Sequence, residues 1–256
     1  MGEVSADSVT LDLLRDAWET VRSSPLGVIN TPMIPWCQTT LPLHLRCNVH
    51  IKLENMQRTE QVPTSCLMNV VNRCVQEDAM TFLHSYDDLD LIAGHASLGL
   101  EVLEGIPKPD VVVVCCGGGG LLAGVAAAIK LSGCDGTRIY GVEPDGACTM
   151  YRSFIEKKPV GMEAESIASG LAPPFAGTLP FELCQRYVEG IVLINDDEIK
   201  AAVSTLYRSG LVVEPSGCAA FAAIVNDKIP ELEGKTVVCI LSGGNIGKDE
   251  LVNFPG

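Results

Sequence analysis

Basic residues are scarce in this chain: Lys and Arg number 18 against 32 Asp and Glu, a formal charge of −14. Nucleic acid and anionic membrane surfaces are gripped by clustered positive charge, so neither is expected as a partner. An anionic small molecule stays open, because backbone amides bind anions without any basic side chain. Paired cysteine spacing is also missing. The 11 cysteines are odd in number and contain no C-x-x-C. Cys47 and His50 are spaced like two metal ligands, but no second pair follows, so zinc is not expected. Cys115 and Cys116 lie in an apolar run, as reduced, buried thiols of a cytoplasmic protein do. The amino end, MGEVSADSVT, has neither the basic region nor the apolar core of a signal peptide. Ala6 stands where N-myristoylation requires Ser or Thr. Val111 to Ile129 is uncharged for long enough to cross a bilayer. Four glycines at its centre would weaken a spanning helix, so it reads as strand, turn and helix, and no membrane span is expected.

What is present is a chain of 256 residues, 47% hydrophobic and 20% charged, able to bury a core. Apolar residues at 11, 14, 17, 18 and 21 predict an amphipathic helix over Leu11–Val21. Thr31-Pro32 breaks the chain, and Val49 to Leu53 alternates as a strand does. Gly99 to Leu103 closes a helix that stops near Gly105. Val111 to Cys116 predicts a strand and Leu121 to Lys130 a helix. Arg138 to Glu143 and Ile191 to Ile194 predict strands, and Asp196 caps a helix over Asp197–Tyr207. Pro215 to Val225 reads as a further helix and Thr236 to Leu241 as a last strand. This alternation predicts an α/β fold, a mainly parallel sheet with helices on both faces. Between Glu60 and Ala79 the pattern is poor, and the stretch is too short for a domain, which needs at least roughly 50 residues.

Ligands of parallel sheets sit beyond the carboxyl ends of the strands, where the glycine clusters fall. Gly117-Gly118-Gly119-Gly120 follows a strand and opens a helix. Without side chains the backbone can turn sharply there and aim several N–H groups at one anion, at the positive end of the helix. Two ligands fit this pattern. Gly118-x-Gly120-x-x-Ala123 satisfies a dinucleotide fingerprint, with Glu143 placed for a ribose hydroxyl, which would make the chain an NAD-binding oxidoreductase. A lone phosphate group fits as well. On these residues the two stand level.

Other motifs tip the balance. Thr31-Pro32 and Lys52-Leu53-Glu54-Asn55-Met56-Gln57-Arg58-Thr59 come first. Tyr86-Asp87-Asp88, Ile92-Ala93-Gly94 and Gly99-Leu100-Glu101 follow, then Cys116 to Gly124 and Gly141-Val142-Glu143-Pro144. Glu214-Pro215-Ser216-Gly217 and Leu241 to Ile246 close the series. In this order they resemble the pyridoxal-phosphate (PLP) dependent serine/threonine dehydratase and serine racemase family. The resemblance implies a tryptophan synthase beta-like fold. Residues 1–59 and 80–256 would form the large PLP-binding domain, and 60–79 the remnant of a truncated small domain.

It also implies roles. Gly117, Gly118, Gly119 and Gly120 would hold the PLP phosphate, Ser242 the pyridine nitrogen, while Gly170 and Glu214 would lie beside the ring. Glu143 and the Ala147 carbonyl match a divalent-cation site, for Mg2+ or Ca2+, of the racemase-like branch. Thr149 stands where that site has an aspartate. Trp36, Cys37 and Gly210 replace the small polar groups and lysine of the racemase effector site, which favours a dehydratase acting on serine or threonine.

The family continues from Gln57-Arg58-Thr59 into Gly-Ser-Phe-Lys-x-Arg-Gly-Ala, whose lysine forms the Schiff base with PLP. Here Glu60-Gln61-Val62 follows instead, and no lysine occurs between Lys52 and Lys108. The Ser-Gly-Asn-His loop that cradles the ring is absent too. The expectation is a family member inactive as it stands, existing as a homodimer or as the non-catalytic partner in a heterodimer with a complete paralogue.

Overall fold

A computed structural model describes residues 5–24, 28–41, 45–57, 84–251 and 254. The 60–79 stretch read as a small-domain remnant lies outside them. Six strands form one sheet: β1 Met33–Pro35, β2 Asn48–Leu53, β3 Val111–Cys115, β4 Arg138–Pro144, β5 Gly190–Ile194 and β6 Thr236–Leu241. Their order is β1-β2-β6-β3-β4-β5. Only β1 runs antiparallel, against β2; the other neighbours are parallel. The helices are α1 Leu11–Ser23, α2 Leu89–Gly105, α3 Gly120–Leu131, α4 Thr149–Glu156, α5 Thr178–Tyr187, α6 Asp196–Arg208, α7 Ala219–Val225 and α8 Lys248–Leu251.

Strand β3 shows why the sheet is covered on both sides. Val112 and Val114 pack into one apolar cluster with α1, α2, α3 and α5. Val111, Val113 and Cys115 pack into a second, with α6 and α7. A strand buried on both faces has no polar alternation to show, which is why its sequence is continuously apolar. From β3 the chain winds outward through β4 to β5, while β6 pairs on the opposite side of β3. The carboxyl ends of β3 and β6 thus meet at the point where the winding reverses, the usual place for a ligand.

Two helix starts differ from expectation. The cap of α6 is Asn195, not Asp196. The Asn195 side chain accepts from the Glu198 amide at 2.9 Å, and the Glu198 carboxylate accepts from the Asn195 amide at 2.9 Å, a reciprocal box. Helix α7 begins at Ala219 rather than Pro215, because the preceding residues are tied elsewhere. Ser216 Oγ accepts from the Gly170 amide at 3.0 Å, and a Cβ on Gly217 would stand 2.4 Å from the Gly243 carbonyl. Four elements have no counterpart in the sequence pattern: β1, α4, α5 and α8. Helices α4 and α5 take their amino-terminal caps from carboxylates outside the helix. Glu143 accepts from Met150 and Tyr151 of α4 at 2.9 and 2.8 Å. Asp87 accepts from Thr178 and Leu179 of α5 at 2.8 and 3.0 Å.

Candidate functional site

The chain leaves β3 through Cys116 and turns over Gly117–Gly120 into α3. Gly119 is the amino-terminal cap and has φ +98°, a left-handed backbone that glycine adopts without strain. None of the four glycine amides donates to an acceptor among the described residues. Unpaired N–H groups at the positive end of α3 make this turn an anion cup. Tyr86 roofs it. A Cβ on Gly118 would lie 2.2 Å from the Tyr86 ring, so glycine here answers to packing as well as to a ligand. The Tyr86 hydroxyl donates to the Phe175 carbonyl at 3.1 Å, which fixes the roof to the opposite loop.

The same cavity extends to the end of β6. It is lined by Gly117, Gly118, Gly119, Gly120, Gly170, Glu214 and Ser242, so every residue expected around a cofactor comes to one place. The Ser242 hydroxyl lies 3.1 Å from the Cys115 thiol. Burial pushes that thiol up to about 11, so it stays protonated at neutral pH and can donate to Ser242 Oγ. Where the thiol is the donor, the Ser242 hydroxyl has its own proton free for a ligand. Burial also pushes Glu214 up to about 7, against the pull of the Asn245 amide.

Tyr86, Cys115, Ser216 and His95 belong to the cavity and were not expected there. Tyr86 and Ser216 stood in the quoted motifs and Cys115 in an apolar run without a role at a site, while His95 is the one ionisable residue in the run Leu91 to Leu100.

Other expected residues lie elsewhere. Glu143 is fully buried and its carboxylate caps α4, so it is not offered to a ribose hydroxyl. That removes the acidic partner on which the dinucleotide pattern relied. Ala147 sits in the single turn Asp145–Ala147. Among the described residues no group of three His, Cys, Asp or Glu side chains could hold a metal ion. Lys52 is turned away from the glycine cup, into a separate cavity beside Thr31 and Glu101. Its Nζ donates to the Thr31 carbonyl at 2.6 Å and to Glu101 at 2.7 Å.

Comparison with known proteins shows the family to which the chain is similar. The family described as pyridoxal-phosphate dependent enzyme matches residues 60–243. The match takes in the poorly patterned 60–79 stretch and stops short of residues 1–59. Phenylserine dehydratase of Ralstonia pickettii is 40% identical over 179 residues, 69% of this chain and 55% of its own length. The chain thus spans about half the length of that relative. A threonine deaminase from T.th. superposes with a TM-score of 0.82 at 25% identity, covering 93% of this chain and 99% of the other. Serine racemase from Dictyostelium discoideum superposes with a TM-score of 0.79 at 20% identity, covering 94% and 99%.

Proposed function

The chain belongs to the pyridoxal-phosphate dependent enzyme family, and from that premise we propose that its cavity is a PLP site of the serine/threonine ammonia-lyase kind. The observation that carries the proposal is the unpaired amide cup at Gly117–Gly120, with Ser242 and Glu214 at the other end of the same cavity. The cup would receive the phosphate, and the Ser242 hydroxyl, held by Cys115, would face the ring nitrogen. Gly170, without a side chain, would let its backbone lie against the cofactor, with Glu214 beside the ring. When bound, PLP supplies an electron sink that stabilises negative charge at the α-carbon of an amino acid. A complete enzyme of this kind would remove the α-proton of serine or threonine and release the β-hydroxyl and ammonia; a serine racemase would return the proton instead.

This chain has no lysine between Lys52 and Lys108, and Lys52 is held in another cavity by Glu101. It is therefore proposed to hold PLP by its phosphate and ring alone, without turnover. A non-catalytic subunit in a cytoplasmic homodimer or heterodimer suits such a chain. Helix α4 supports that reading, since Tyr151 and Ile155 are exposed on it. No cation is needed at Glu143, whose oxygens already have partners.

Calorimetric titration with PLP, pyridoxine and NAD+ tests the assignment. PLP should bind and NAD+ should not, and ammonia release from L-serine or L-threonine should not exceed that of free PLP. Binding of NAD+ in preference to PLP would overturn it.

A further inference from the structure

His95 is the one buried ionisable side chain in the middle of α2. It is 4% exposed, lines the cavity, and its Nδ1 has no hydrogen-bond partner among the described residues. Burial pushes its pKa down to about 4, so the imidazole is neutral and carries one N–H. Core histidines are normally hydrogen-bonded, and an unpaired one bordering a cavity is poised for something that enters it.

Its position says what. Helices α2 and α3 run side by side in the same direction. Tyr86, just ahead of α2, covers Gly120; the Cβ of His95 meets Gly124, where an added Cβ would stand 2.8 Å away; Gly99 meets Ala128. Helical side chains lean toward the amino terminus of their own helix. The His95 ring therefore leans from the level of Gly124 toward Gly120, the underside of the cup. The amino terminus of α3, which has no side-chain cap, points its positive end at the cup, whereas that of α2 is already capped by the Asp88 carboxylate. The cavity's other titratable side chains from β3 and the β6 end, Cys115 and Glu214, lie beside Ser242 and Gly243 instead. Rotation of the ring about Cβ–Cγ, a torsion with two broad wells, can present either nitrogen.

Resting on the reading of the cup as a phosphate site, we propose that His95 is a side-chain ligand of the bound phosphate, donating an imidazole N–H to one of its oxygens. The four glycines of the cup themselves offer backbone donors alone. In a chain that holds its cofactor through phosphate and ring, this contact adds retention that a covalent link would otherwise supply.

The test uses pyridoxine 5′-phosphate and pyridoxine, which have no aldehyde and so cannot react with lysines, titrated into the full chain and its His95 variants. His95→Leu should weaken the phosphate form by about ten- to one-hundred-fold, the size of a hydrogen bond to a charged group. It should leave pyridoxine unchanged. His95→Gln, which keeps a donor at similar reach, should stay within about three-fold of the unaltered chain by the same reasoning. His95→Val, which likewise carries no donor, should behave like leucine and serves if the leucine variant does not fold. Phosphate affinity untouched by His95→Leu or His95→Val would overturn the proposal. So would equal losses for both ligands, the mark of a merely structural histidine. No preference of the unaltered chain for the phosphate form would overturn the reading of the cup itself, and this one with it.

Discussion

Replacing Lys52 by methionine should destabilise the fold strongly, although the residue is remote from the glycine cup. Lys52 is 1% exposed on β2, with Nζ 2.7 Å from Glu101 of α2 and 3.6 Å from Glu54. Both carboxylates are themselves nearly sealed from water, and the Thr31 hydroxyl also donates to Glu54. Methionine keeps most of the stem's volume but leaves two buried carboxylates without a cation. Removing one partner of a buried pair costs about 3–5 kcal/mol. At about 2–4 °C per kcal/mol for a chain of this size, the melting temperature should fall by about 6–20 °C.

The loss should also depend on pH. Burial pushes Glu101 up to about 7 from its ordinary 4.5, in spite of Lys52. A carboxyl raised in this way holds its proton in the folded state where the unfolded chain has lost it. The unaltered protein therefore loses stability from this group as pH rises from 4.5 to about 7. Without Lys52 the carboxyl is raised further, so the variant should suffer least near pH 5 and most near pH 8. Thermal melts followed by circular dichroism at the two pH values decide the matter. A fall under about 2 °C at pH 8, or an equal fall at both, would refute the argument, since 1 kcal/mol alone moves the midpoint by that much.

Glu214→Gln should flatten part of the same pH dependence, because burial raises Glu214 to about 7 and its ionisation likewise weakens the fold on going to higher pH. An unchanged profile of melting temperature against pH would contradict this. Magnesium should not shift the melting temperature of the unaltered chain. Thr149→Asp sets a second carboxyl near Glu143, which burial has already pushed up to about 8. That variant should melt lower and recover with magnesium, whereas magnesium stabilisation of the unaltered chain would reveal a ligand set centred elsewhere. Asn195→Ala should cost about 1 kcal/mol through the lost cap of α6, seen as a small drop in the denaturation midpoint.

The elements legible in the sequence were those whose signal is local. The apolar run at Val111, the period of Leu11 to Val21 and the glycine turn each carry their own cause. The residues expected around a cofactor came from the resemblance, and the fold brings Gly117 to Gly120, Gly170, Glu214 and Ser242 to one cavity. What stayed hidden was set from a distance. Helix α5 has Pro180 in its first turn, where proline is tolerated but reads as a breaker, and its cap is Asp87, 91 residues away from Thr178. Helix α4 is capped by Glu143, whose place at a strand end had suggested a ribose or a cation. The surroundings of His95 and Cys115 depend on how α2 meets α3 and β3 meets β6, which no local pattern encodes.

The central claim is that the cup binds the PLP phosphate while no lysine of this chain holds the cofactor covalently. Incubation with PLP, borohydride reduction and peptide mapping test both halves, with pyridoxine 5′-phosphate as competitor. The account predicts saturable PLP binding displaced by the competitor, and no single lysine labelled in a competitor-sensitive way. One lysine labelled stoichiometrically and protected by pyridoxine 5′-phosphate would contradict it.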